Sequence, residues 1–130
     1  MTESDRIDAT ILELHARVCK TMAHPVRLAL LNAMRDGERS VGELAEAAGV
    51  AQPIASQHLA TLRGEGLVNH QRHGQEVHYS IAHPKMIQAC DLLREVLFDR
   101  LRGQNELTRH LDTTTRDTTT RSTTTMDTTN

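Results

Sequence analysis

Residues 40–80 read SVGELAEAAGVAQPIASQHLATLRGEGLVNHQRHGQEVHYS, and the order of signals within them predicts the fold. Ser40 and Glu43 have the spacing of a capping box, in which the serine accepts the amide three residues on and the glutamate returns to the serine amide. Leu44, Ala45, Ala47 and Ala48 follow, and Gly49 stands where a helix ends in a left-handed residue. A short helix over roughly 41–48 is expected. Pro53 then opens a second helix, because its fixed φ suits a first turn. Ile54, Leu59 and Leu62 are expected to face inward, with Gly64 and Gly66 closing the helix. Two short helices joined by a turn containing glycine make a helix-turn-helix. Residues 67–72 and 75–80 read as strands flanking His73-Gly74, a two-residue hairpin signal. A hairpin directly after a helix-turn-helix is a wing. The expected fold is mainly α with a β-hairpin wing, a winged helix-turn-helix.

Working outward, Ile11, Leu12, Leu14, Val18, Cys19 and Met22 keep helical spacing from Asp8 to Met22. His24-Pro25 breaks this helix and starts another, carried by Val26, Leu28, Leu30, Leu31 and Met34 until Asp36-Gly37. On the far side, Pro84 precedes a long helix to about Leu101, with Met86, Ile87, Cys90, Leu93, Val96, Leu97 and Leu101 on one broad stripe. From residue 111 the chain reads LDTTT-RDTTT-RSTTT-MDTTN, a repeat with almost no apolar side chain to offset the entropy of ordering. The expected organisation is a flexible N-terminus over 1–7, a winged-helix DNA-binding and dimerisation domain over 8–103, and a threonine-rich disordered tail over 104–130.

Composition narrows the function classes. Apolar residues make up 38% of the chain, but Tyr79 and Phe98 are the only aromatics, so the core must be aliphatic. The formal charge of −2 provides no global attraction to nucleic acid, so the location of charge matters more than its sum. Glu3, Asp5, Asp8 and Glu13 crowd the start, whereas four of the eight histidines lie between His58 and His78. Histidine gains charge near neutral pH, which favours a phosphate backbone beside that stretch. No apolar run is long enough to span a bilayer, and the polar start MTESDRIDAT lacks the apolar core of a secretory signal. A cytoplasmic protein without membrane contact is expected. There is no Gly-rich phosphate loop, nucleophile–base pair or set of paired carboxylates, so an enzyme is not expected.

A recognition helix presents its first turns to base edges in the major groove. Gln52, Ser56, Gln57 and Thr61 are the side chains expected to do so, with His58 and Arg63 near the phosphate backbone. Glutamine can pair bidentately with adenine, and serine can serve several bases. Arg72 and His73 at the wing tip are expected to hold phosphate or enter the minor groove. The competing class is a winged helix that binds protein instead; it would lack the steep salt dependence of phosphate contacts.

The stretch HPVRLALLNAMRDGERSVGELAEAAGVAQPIASQHLATLRGEGLVNHQRHGQEVHYSI resembles the ArsR/SmtB family of winged-helix repressors, and the resemblance covers about residues 10–101. It implies a homodimer formed chiefly by the first and last helices. It also implies an inverted-repeat operator in double-stranded DNA and repression relieved by an inducer. Two metal sites found in relatives are lacking. The helix 43–47 carries no cysteine pair, and Lys85 and Val96 interrupt the site that His83, Lys85, Val96 and Asp99 would form on the last helix. The segments ERSVGEL and LRGEGLVNHQRHGQEVHYS are similar to the persulfide-responsive branch of the family. Asn32 and Phe98, however, stand at or near that branch's thiol positions.

What remains is Cys19 on the first helix and Cys90 on the last, which the resemblance brings to the dimer interface. They form no CxxC, and a reducing cytosol disfavours a permanent disulfide. Three readings stand open. The thiols sense oxidant or reactive sulfur; or His15, four residues before Cys19, joins Cys19 and Cys90 around a metal or metalloid; or both cysteines fill space and another signal acts. No cofactor other than such a metal ion is implied.

Overall fold

The computed structural model describes residues 3–115, with side-chain surroundings for 8–105. In chain order the elements are α1 (Glu3–Met22), α2 (Pro25–Ala33), β1 (Arg39–Ser40), α3 (Val41–Ala48), α4 (Gln52–Gly64), β2 (Val68–His73), β3 (Glu76–Ile81) and α5 (Lys85–Thr115). The fold is a winged helix-turn-helix, as expected. Packing divides it into two compact units that part between Ile87 and Gln88.

In the first unit, α2, α3 and α4 enclose an aliphatic core. Leu30, Leu31, Met34, Leu44, Leu59, Leu62 and Val68 are its largest fully buried side chains. Burying each is worth roughly 1.5–3 kcal/mol relative to exposure. Tyr79 is the one aromatic of this core, and Val18, Met22, Met86 and Ile87 pack against its edge. The sheet has the order β1-β3-β2, antiparallel throughout. Strand β1 was not foreseen. Two residues provide too short a pattern to read, and Arg39 and Ser40 are strand only because Tyr79 and His78 lie opposite them.

Several boundaries differ from expectation. Helix α1 begins at Glu3, not Asp8, since ESDRID contains no Gly or Pro to stop it. The wing turn is Gly74-Gln75 rather than His73-Gly74, because His73 pairs with Glu76. Gly74 enters that turn at φ +67, a left-handed conformation natural to glycine. Ile54 does not face inward; it is 44% exposed. On α4 the buried face is Ala55, Leu59 and Leu62, and Ile54 lies off it.

In the second unit, α5 does not stop near Leu101 but continues to Thr115. Gly103 costs a helix about 1 kcal/mol relative to alanine without ending it, and no proline follows. The tail expected over 104–130 is therefore helical in backbone as far as Thr115, and its remainder lies outside the described residues. Leu92, Leu93, Val96, Leu97, Phe98 and Leu101 of α5 are exposed, as are Ile11, Leu12 and Leu14 on α1 in the first unit.

Candidate nucleic-acid interface

The helix-turn-helix is set in place at Ser40. Its Oγ accepts the Glu43 amide at 3.1 Å, and its own amide donates to Glu43 Oε1 at 3.0 Å, completing the expected capping box. The hydrogen bond from the Ser40 amide holds the Glu43 carboxyl below its usual range. Ser40 is also the last residue of β1, opposite His78 of the wing. One residue thus ends a sheet strand and caps α3. Gly49 closes α3 at φ +71, with its amide bonded to carbonyls of the preceding turn.

Helix α4 follows, with Pro53 in its first turn and Gln52 as its first residue. Burial of Ala55, Leu59 and Leu62 leaves Gln57 on the opposite face, with Gln52, Ser56 and Thr61 also exposed. Thr61 Oγ1 donates to the Gln57 carbonyl at 3.2 Å, so the hydroxyl offers outward only acceptor lone pairs. Between the start of α4 and the wing turn lies a concavity with a largely polar lining. Ser40, Gly42, Gln52 and Ser56 line it on one side and Gln75 and Glu76 on the other.

Two expected backbone contacts are otherwise engaged. His58 is half-buried: its Nδ1 accepts Arg27 Nε–H at 3.1 Å, and its ring lies 4.4 Å from that of His24. Burial chiefly, then the neighbouring His24 and Arg27, pushes its pKa down, which favours the neutral ring. His58 therefore leaves the exposed set. His73 does not point freely from the wing tip either, because its Nε2 lies 2.7 Å from Glu38 Oε2 and its ring meets the edge of His78. Arg63 is exposed and reaches His70 Nε2 on β2 at 2.9 Å, while Arg72 is exposed on the same strand.

Sequence reasoning passed over Arg27, Glu38, Gln75 and Glu76. Gln75 becomes visible once the hairpin turn is placed one residue later. The others are tertiary neighbours with no local pattern. Cys19 is exposed on α1, Cys90 is half-buried on α5, and neither is in a disulfide. His15 is exposed one turn before Cys19. No described helix is long and apolar enough to cross a membrane.

The family description "Bacterial regulatory protein, arsR family" matches residues 24–70. A biofilm growth-associated repressor of Xylella fastidiosa is 40% identical over 78 residues, 60% of this chain and 68% of that protein. This chain belongs to the ArsR family. Its members here are winged helix-turn-helix, DNA-binding transcriptional repressors, and this chain is one of them. The crystal structure of the repressor BigR from Xylella fastidiosa matches with a TM-score of 0.62 and 35% identity, covering 74% of this chain and 96% of that one. A solution structure of a homodimeric winged helix-turn-helix DNA-binding domain from Mycobacterium bovis matches with a TM-score of 0.67 and 31% identity, covering 79% and 93%.

Proposed function

We propose that this ArsR-family repressor acts as a homodimer on an inverted-repeat operator and leaves it when Cys19 and Cys90 are oxidised or modified by reactive sulfur. The observation that carries the DNA half of this reading is the exposed set Gln52, Ser56, Gln57 and Thr61 on a helix whose other face is buried. Gln57, at the centre of that face, reads a base edge; Arg63 and Arg72 neutralise phosphate. Two such helices related by a two-fold axis meet successive major grooves, about 10–10.5 base pairs apart.

Dimerisation is supported by the homodimeric relative and by apolar surface that a lone chain leaves in water. The exposed side chains of α5, and separately those of α1, make patches of the kind that mark interfaces. In this reading residues 8–103 bind DNA and dimerise, and α5 extends the dimerising element. Cys19 and Cys90 sit on those same two helices. Two thiols give two electrons to a peroxide or polysulfide and become a disulfide or a sulfur-bridged pair, releasing two protons. A bridge there changes the angle between the paired reading heads.

Selection of duplexes from a random pool by the reduced full-length chain tests the proposal. The expected product is an inverted repeat with half-sites one helical turn apart, bound less tightly as salt rises. A salt-insensitive interaction, or no enrichment, overturns the DNA reading. Enrichment with unchanged affinity after oxidant and polysulfide treatment overturns the thiol reading alone.

A further inference from the structure

Two side chains of the wing and one from the segment before β1 come together without serving the reading face. Glu38 precedes β1, His73 ends β2 and His78 lies in β3. One donor atom from each lies within 4.8 Å of the others, and among the described residues this is the group so arranged. Glu38 Oε2 is 2.7 Å from His73 Nε2 and 3.4 Å from His78 Nδ1. Ligands about 2.0–2.1 Å from a tetrahedral ion stand about 3.4 Å apart, so the cluster needs only small side-chain shifts to enclose one.

The hydrogen bonding of His78 points the same way. Its Nε2 lies 3.1 Å from Glu76 Oε1, and its Nδ1 is buried with no hydrogen bond. If Nε2–H donates to Glu76, the Nδ1 lone pair faces the Glu38 carboxylate. Two acceptors at that separation repel, and a proton or a metal ion between them relieves the contact. A carboxylate that takes one imidazole N–H while the other nitrogen binds a metal is the usual outer support of a histidine ligand. Register places the hairpin members of the group: His73 pairs with Glu76, and His78 is two residues on, so His73, Glu76 and His78 project from one face of the hairpin.

We infer that Glu38, His73 and His78 form a binding site for a divalent transition-metal ion of the zinc class, with Glu76 orienting His78. Two imidazoles and a carboxylate suit zinc and, lacking a thiolate, disfavour soft monovalent ions, and water completes the fourth position. The ion ties the wing turn to the segment that enters α3 through Ser40, so occupancy holds the wing against the helix-turn-helix. The site contains no cysteine.

The test uses the full-length chain, stripped of metal and titrated with zinc against a chromophoric chelator, and with cobalt by absorption. One ion per chain is expected, with cobalt d–d bands but no thiolate charge-transfer band. Glu38→Gln and His73→Gln, both on exposed side chains, are expected to weaken binding at least tenfold while keeping wild-type circular dichroism. A Cys19→Ser/Cys90→Ser double variant is expected to bind zinc like wild type. No stoichiometric binding, unchanged binding in both wing variants, or loss of binding in the cysteine variant overturns the site. None of these outcomes bears on whether thiol oxidation releases DNA.

Discussion

Arg27 on α2 gives its Nε–H to Nδ1 of His58 on α4 at 3.1 Å, and its NH1 group donates to the Thr21 carbonyl at 2.8 Å. A guanidinium cannot give up its charge at any ordinary pH, so the imidazole must accept and stay neutral. The contact therefore turns a histidine of α4 into an internal strut joining three helices.

Stability should depend on pH through this strut. Folding holds the His58 pKa below its unfolded value of about 6.5, so above that pH both states carry the ring neutral and nothing is lost. As pH falls below about 6.5 the unfolded chain binds the proton first, and stability declines until the folded ring also protonates. Urea midpoints measured from pH 7.5 to 5 should fall in wild type and fall less steeply in His58→Gln. Parallel profiles would refute the assignment.

Gln57→Ala should weaken binding to the selected operator by about tenfold and relax preference at one base pair, because a good bidentate contact is worth about 1–3 kcal/mol. Arg72→Ala should weaken binding to all sequences alike and flatten the salt dependence. Competition titrations against scrambled duplexes separate the two effects. A Gln57 variant with wild-type discrimination would remove this residue from the reading face.

Ser40→Ala should cost about 1 kcal/mol, the ordinary worth of an N-cap. Leu59→Ala, at a fully buried position, should cost about 2–5 kcal/mol. Equilibrium denaturation measures both. Ser40→Ala should also disturb the wing, since Ser40 pairs with His78; amide exchange at β3 should quicken relative to exchange in α1.

Oxidant or polysulfide should lower DNA affinity in wild type and leave Cys19→Ser and Cys90→Ser bound. Intact mass on the same samples should show the loss of two hydrogens per bridge or the addition of sulfur. If both variants dissociate like wild type, the signal enters elsewhere.

Much of the interface was legible because its determinants are local. The capping box spans Ser40 to Glu43, Gly49 marks a left-handed end, and Pro53 marks a first turn; each acts within a few residues. The wing turn was misplaced by one residue because His73-Gly74 and Gly74-Gln75 both offer a glycine, and only pairing of His73 with Glu76 chooses between them. Ile54 departs from its inward expectation because apolar character alone does not place a helical residue: Ala55, Leu59 and Leu62 share the buried face, and Ile54 lies off it.

The sequence by itself determined the order of the helices and of the two wing strands β2 and β3, and the chemistry displayed by α4, since capping, proline geometry and periodicity depend on near neighbours along the chain. Only the tertiary structure decided which histidines are surface groups. His58 is drawn inward by Arg27, and His73 and His78 are gathered by Glu38 from another loop. Side-chain reach across packed elements is set by register and burial, and no spacing along the chain encodes it.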